Sequence, residues 1–84
     1  MSTYVFIYFM VDDVETVKRH LGAHVKYWKS LKLDSLRNGP FTDKSGGLIM
    51  FNAASPQIAR ERIELDPFVT EKVLKEYWLK EWVS

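Results

Sequence analysis

The part of the sequence that most restricts the fold is an uninterrupted apolar segment near its beginning, residues 4–11 (YVFIYFMV). The segment is rich in β-branched and aromatic residues and is followed by Asp12 and Asp13, which predicts a β-strand. Successive side chains of a strand point to opposite faces of its sheet, and both faces of this strand are apolar. A single layer of helices covers one face, so we expect a second apolar surface to cover the other.

Helical periodicity follows this strand. Apolar residues three or four positions apart predict an amphipathic helix over residues 13–33, with Asp12 or Asp13 as its N-cap. A Ser-Pro pair at 55–56 predicts the start of a second helix. This helix must stop near Asp66, because the residue before a proline is disfavoured in the α conformation.

Two further apolar segments, residues 48–52 and 73–82, predict strands, although the second is also compatible with a short helix. Residues 37–47 (RNGPFTDKSGG) combine turn residues with a short strand-like piece, and we expect Gly46 and Gly47 to form a hairpin turn. The resulting order β, α, β, β, α, β predicts a ferredoxin-like α+β fold with a four-stranded antiparallel sheet and two helices on one face. We expect the bare sheet face to form a homodimer, because an exposed apolar patch invites association.

Composition excludes several classes of protein. A chain of 84 residues predicts one domain, 1–84. The hydrophobic core of so small a domain is thin, and such domains commonly gain stability by self-association. Twelve Lys and Arg balance eleven Asp and Glu without a charged run, so we expect no nucleic-acid partner. The absence of cysteine excludes disulfides and thiolate metal sites. The longest apolar segment is too short to span a bilayer, so we expect no membrane partner and a cytoplasmic location.

His24 is the first candidate for chemistry. It follows Leu21 by three positions and precedes Trp28 by four, which places it at the edge of the apolar stripe of the first helix. One interpretation is a core histidine that satisfies one ring nitrogen with a backbone carbonyl. A zinc site formed with His20 is another, but the sequence lacks the Glu that the metalloprotease motif places directly after its first His, so we expect no metal.

Asp66 is the second candidate, because it continues the apolar row of the second helix, three positions after Ile63. A carboxylate in such a place is costly unless it is paired or hydrogen-bonded. It could bond the backbone N–H groups ahead of Phe68, a frequent use of Asp before Pro. It could also face His24, since both helices lie on the same face of the sheet, and hold that imidazole in one tautomer as a general base requires.

Four short stretches resemble motifs of the YCII (YciI-like) family, in the same order along the chain. They are HVKYW at 24–28, GPFTD at 39–43, DPFV at 66–69 and EW at 81–82. The resemblance implies a dimeric ferredoxin-like α+β barrel, with His24 and Asp66 as the proposed active-site pair. It also implies an activity such as cofactor-free removal of HCl from chlorinated hydroxyhydroquinones. The chain departs from the family pattern before GPF, where KLDSLRN lacks the usual glycine.

These features together predict a small enzyme without a cofactor, a dehydrochlorinase-like lyase or an isomerase, acting on a small hydroxylated aromatic. His24 would take a proton from a ring hydroxyl while Asp66 orients it. Aromatic side chains are candidates for the substrate-binding wall, namely Tyr8, Tyr27, Trp28 and Phe41. The alternative is a non-catalytic dimeric binding or accessory module that holds a ligand in the same cleft.

Overall fold

A computed structural model describes residues 1–83, and over these residues a four-stranded antiparallel sheet carries helices on one face. In chain order the elements are β1 (Ser2–Met10), α1 (Val14–Ser30), β2 (Arg37–Pro40), β3 (Gly46–Ala53), α2 (Pro56–Glu64), α3 (Pro67–Thr70) and β4 (Leu74–Trp82). The strand order is β2-β3-β1-β4, and all neighbouring strands are antiparallel. This is the predicted ferredoxin-like α+β fold. Within residues 1–83, no helix combines the length and the apolar character needed to cross a membrane.

The central strand β1 has two apolar faces, as predicted, and they have different surroundings. Tyr4, Phe6 and Tyr8 are buried beneath the helices and belong to the core. Alternate residues such as Val5 and Ile7 are half-buried and lie on the opposite, open face of the sheet. The helices of one chain therefore cover only one face of β1.

Helix α1 begins where the sequence predicts and ends earlier. The carboxylate of Asp13 accepts hydrogen bonds from the backbone N–H groups of Glu15 and Thr16, so Asp13 is the N-cap. The helix stops at Ser30 instead of residue 33, and Lys32 takes a left-handed conformation with φ of 52°. That conformation cannot continue a right-handed helix.

The predicted apolar stripe of α1 is buried only in part. His24 and Trp28 are its buried residues, whereas Val14, Leu21 and Val25 remain exposed. The exposed members of the stripe do not pack against the sheet, so they border open space next to it.

The prediction of a hairpin turn at Gly46 and Gly47 is wrong. Both glycines belong to β3, where they pair with Phe9 and Tyr8 of β1, and the turn lies before them at residues 41–45. They are required for close approach: a Cβ on Gly46 would lie 1.8 Å from the carbonyl oxygen of Tyr8, and one on Gly47 would lie 2.4 Å from the Tyr8 hydroxyl. These two glycines allow close packing between strands instead of forming a turn. A sequence pattern alone cannot distinguish these two roles of glycine.

The last third of the chain contains one additional element. Helix α2 ends at Glu64, close to the predicted end, and Pro67 opens the short helix α3, which the sequence analysis did not predict. The last segment is a strand, not a helix. Its register shifts opposite Phe9 and Met10, which pair with Glu76 and Leu74 and leave Lys75 without a partner in the ladder.

Substitution of two glycines tests the close approach of β1 and β3. We expect Gly46→Ala to lower the free energy of unfolding by about 2 kcal/mol or more, because backbone atoms must move to admit the new methyl group. Gly22→Ala is the matched control, since a Cβ at Gly22 meets nothing within 4 Å. In the interior of α1 this change should raise stability by about 0.5–1 kcal/mol. Urea unfolding measures the free energy of unfolding of the two variants. Equal changes in that free energy would contradict the packing argument.

Candidate active site

His24 of α1 and Asp66, which precedes α3, form a buried pair. Nδ1 of His24 lies 2.8 Å from each carboxylate oxygen of Asp66, although the residues are 42 positions apart. His24 is 4% exposed and Asp66 is 0% exposed. The two residues that the sequence analysis selected therefore meet directly.

Asp66 is held in place by two further donors. Its Oδ1 accepts a hydrogen bond from the backbone N–H of Phe68 at 2.8 Å, and its Oδ2 accepts one from the indole N–H of Trp28 at 2.8 Å. The first of these bonds makes Asp66 the N-cap of α3. The two interpretations of Asp66, a turn residue or a partner of His24, therefore hold together. In the described part of the chain, every side-chain nitrogen or oxygen that is itself fully shielded from solvent has a hydrogen-bond partner.

The tautomer of His24 follows from this arrangement. Asp66 presents acceptor oxygens, so Nδ1 donates the hydrogen bond and carries the proton. The ring is stacked on Phe68, with centroids 3.9 Å apart and planes 9° apart, and meets Tyr8 edge-on at 5.6 Å. Nε2, on the far side of the ring, has no hydrogen-bond partner among residues 1–83 and is free to accept a proton.

A cavity of about 700 Å³ lies beside His24. It is bordered by β1, α1, the β2–β3 hairpin, α3 and the beginning of β4, and its apolar wall includes Met10, Val14, Val17, Leu21, Val25 and Phe68. The exposed apolar residues of α1 thus face the cavity, which explains why they are not part of the core. A cleft of this size with a mainly apolar wall is typical of small-molecule sites.

Tyr8 also lines the cavity, on the side of β1 that faces the helices. Its hydroxyl fits above Gly47, where any side chain would collide with it. Burial, and then the negative charge of Asp66, raises the pKa of Tyr8 from 10.0 to about 12. The hydroxyl is therefore protonated at neutral pH and can donate a hydrogen bond to a ligand next to His24.

The other three aromatic candidates do not line the cavity. Trp28 is fully buried behind Asp66 and donates to it. Tyr27 donates its hydroxyl to the carbonyl of Arg62 and so joins α1 to α2. Phe41 lies against Phe9, with ring centroids 6.0 Å apart. The sequence analysis missed Phe68 as the surface on which His24 stacks, although its place two residues after Asp66 was visible in the DPFV segment.

His20 does not join this site. It lies one helical turn before His24, half-buried, and is absent from the cavity wall. Within residues 1–83, no three or more His, Asp or Glu side chains lie close enough together to hold a metal ion. The two histidines thus lack a third ligand there, and Nδ1 of His24 is already bonded to Asp66.

One solved structure gives a close comparison of the fold. The chain superposes on 5-chloro-2-hydroxyhydroquinone dehydrochlorinase from Burkholderia phenoliruptrix, solved in complex with 2,5-dihydroxybenzoquinone, with a TM-score of 0.83. The match covers 96% of this chain and 93% of the other, at 17% sequence identity. At that identity the likeness establishes a shared fold and leaves the activity open. No curated protein is significantly similar to the chain in sequence.

The sequence itself matches the YCII-related domain over residues 1–83, which is nearly the whole chain. Since the family match and the shared fold agree, the chain belongs to the YCII-related family.

Proposed function

We propose that the protein is a cofactor-independent enzyme, a dehydrochlorinase-like lyase or an isomerase, that acts on a small hydroxylated aromatic. His24 is the general base and Asp66 is the residue that orients it. The observation that supports this best is the fixed orientation of His24: Nδ1 is bonded to a buried carboxylate, and Nε2 is left free beside an apolar cavity. A general base needs one defined tautomer and a free nitrogen within reach of the substrate proton. The bond from Nδ1 to Asp66 favours one tautomer, and Nε2 is the nitrogen proposed to face the substrate.

The chemistry needs only proton transfers and a leaving group. Nε2 of His24 takes the proton of a ring hydroxyl, and the oxygen electron pair forms a carbonyl. The displaced ring electron pair takes a proton back from His24 at the carbon that bears chlorine, which makes that carbon tetrahedral. Loss of a second hydroxyl proton then expels chloride with the electrons of the C–Cl bond. The net change is loss of HCl from a chlorinated hydroxyhydroquinone to give a hydroxyquinone, without an external oxidant. The carboxylate of Asp66 lies against the positive charge that His24 acquires.

Tyr8 supplies the second polar group of the proposed site. Its neutral hydroxyl borders the same cavity and can donate to the oxygen that loses its proton. The remaining wall is largely apolar, as expected for a site that holds a flat ring. The structural relative adds support, since its name gives a chlorinated hydroxyhydroquinone as substrate and its structure contains a dihydroxybenzoquinone.

We propose further that two copies associate through the open face of the sheet. Val5, Ile7 and Leu48 lie in its central strands, and Trp78 and Trp82 on β4 are 47% and 49% exposed. The charged residues of this face lie on the outer strands: Arg37 on β2, and Glu76 and Lys80 on β4. An apolar centre with a charged rim is typical of a self-complementary interface.

Substitution of the pair tests the catalytic proposal. His24→Gln and Asp66→Asn should each lower the rate of chloride release from a chlorinated hydroxyhydroquinone by about 10²–10⁴-fold, because the base is lost or misoriented. Asn is also a good N-cap, so Asp66→Asn should leave α3 formed. His20→Gln, one turn away on the same helix and outside the cavity, is the matched control and should retain full activity.

Chloride release, quinone absorbance and the thermal midpoint are measured on all four proteins. Full activity in His24→Gln would exclude the proposed base. Binding of dihydroxybenzoquinone without turnover of any chlorinated hydroxyhydroquinone would identify a binding module instead.

The titration of Tyr8 gives a pH test. Its pKa is 10.0 in the unfolded chain and about 12 in the folded one, so the neutral hydroxyl contributes stability that is complete below pH 10 and is lost as the pH rises towards 12. The wild type should therefore lose unfolding free energy more steeply than Tyr8→Phe above pH 10. Urea unfolding over this range measures the two slopes. Parallel slopes would show that the Tyr8 hydroxyl is not buried beside Asp66.

The molecular mass in solution tests whether two copies associate through the open face of the sheet. Light scattering should give twice the chain mass for the wild type and a single chain mass for Ile7→Glu, which places a charge at the centre of the open face. Ile58→Glu is the control: Ile58 lies in α2 on the other side of the sheet and is 37% exposed, so this variant should remain dimeric. A monomeric wild type, or a dimeric Ile7→Glu, would contradict the proposed interface.

A further inference from the structure

We infer that the molecule held beside His24 is a hydroxylated aromatic ring that carries a carboxylate, and that three lysines at the edge of the cavity bind this carboxylate. The lysines are Lys18, Lys44 and Lys75. This inference rests on the proposed function, because it names the class of substrate for the same site.

The charge of the cavity differs from that of the chain. Overall the chain is nearly neutral, with twelve basic and eleven acidic residues. Among the described residues that line the cavity, three are lysines and one, Asp12, is acidic. The Asp12 carboxylate is fully exposed and lies 3.9 Å from Lys75 Nζ, a distance at which a solvated pair interacts weakly. The cavity wall therefore carries three lysines against one carboxylate, whereas the whole chain has a net charge of only +1.

The three lysines come from separate elements of the fold. Lys18 lies on α1, Lys44 lies in the β2–β3 turn, and Lys75 precedes the regular part of the β1–β4 ladder. Lys44 takes a left-handed conformation with φ of 64°, which is uncommon for a residue other than glycine, asparagine or aspartate. Lys75 is the residue that the register shift leaves unpaired, and such irregularities redirect a side chain. Three unrelated local structures thus each bring a lysine to the wall of one cavity.

The lysines and His24 lie at different depths. Lys18 precedes His24 by six residues on α1, which corresponds to about 9 Å along the helix axis. Lys18 is exposed, whereas His24 is buried, and Leu21 provides an apolar surface between them. A ligand that fits this arrangement has a ring hydroxyl at its inner end, an apolar ring in the middle and an anionic group at its outer end. A hydroxylated aromatic carboxylate has these three parts.

The expected effect of each lysine is modest, because all three side chains are exposed. An exposed ion pair is weak, so we expect a change in affinity of about two- to fivefold for each lysine. Three such charges around one cavity act together on the approach of an anion, and salt screens the attraction. Affinity for the carboxylate should therefore depend on ionic strength.

The test compares two ligands that differ in charge and have similar shape, 2,5-dihydroxybenzoate and 2,5-dihydroxybenzamide. We expect the wild type to bind the benzoate at least about tenfold more tightly in calorimetry at low salt, and the preference to shrink as salt is added. In the triple variant Lys18→Gln, Lys44→Gln, Lys75→Gln the preference should fall to near unity. Lys26→Gln is the matched control, since Lys26 is an exposed lysine of α1 outside the cavity wall and should preserve the preference.

Two results would overturn the inference: equal binding of the two ligands by the wild type, or the same preference in the triple variant as in the wild type. Absence of saturable benzoate binding up to about 10 mM, the range of very weak ligands, would also overturn it. These outcomes are separate from those for catalysis, because binding is measured without turnover. If the lysine inference fails while the His24→Gln variant loses chloride release, the general base stands and the substrate is a neutral ring.

Discussion

The buried carboxylate of Asp66 is the interaction on which the site depends. It accepts hydrogen bonds from the His24 ring, from the Trp28 indole and from the backbone of Phe68, and it is completely shielded from water. A carboxylate is costly to bury unless hydrogen bonds satisfy it, and these three donors do so. The Asp66 side chain thus caps α3, connects α1 to α3 through His24 and Trp28, and sets the tautomer of His24. Structural and chemical roles coincide in this residue, and both follow from the same hydrogen bonds.

The position of α1 gives the fold its cavity. His24 and Trp28 hold one part of the helix against α3 and the sheet, while Val14, Leu21 and Val25 stay exposed along its open side. The helix therefore uses its apolar stripe for two purposes, to complete the core and to line a cleft. His24 lines that cleft with Nε2 outside its hydrogen bond, since Nδ1 makes the bond to Asp66.

Much of the fold was predictable because local patterns agreed with it. The two apolar faces of β1, the Asp13 cap and the Ser55-Pro56 helix start all occur where the sequence placed them. The pairing of His24 with Asp66 was one of two interpretations that the sequence offered, because each residue interrupts a predicted apolar row and the fold places both rows on one sheet face. The structure places Asp66 outside α2, at the N-cap of α3. Gly46 and Gly47 were misplaced, since their purpose is to admit the Tyr8 backbone and hydroxyl, which are distant in sequence. Trp28 was a candidate for the substrate-binding wall, whereas in the structure it lies outside the cavity wall and donates to Asp66, a contact that depends on where α3 lies.

The sequence by itself determined the order of the four strands and the two longer helices, the two apolar faces of β1, and the two residues that place polar groups on apolar rows. These properties depend on spacing and on the chemistry of single side chains, both of which are present in the linear order. Only the tertiary structure decided which apolar residues and which lysines line the cavity. It also decided which groups besides His24 donate hydrogen bonds to Asp66. Those outcomes depend on the register of β1 with β3 and β4, on one shift in that register and on the packing of α1 against α3. They arise from contacts between residues tens of positions apart, which no local pattern encodes.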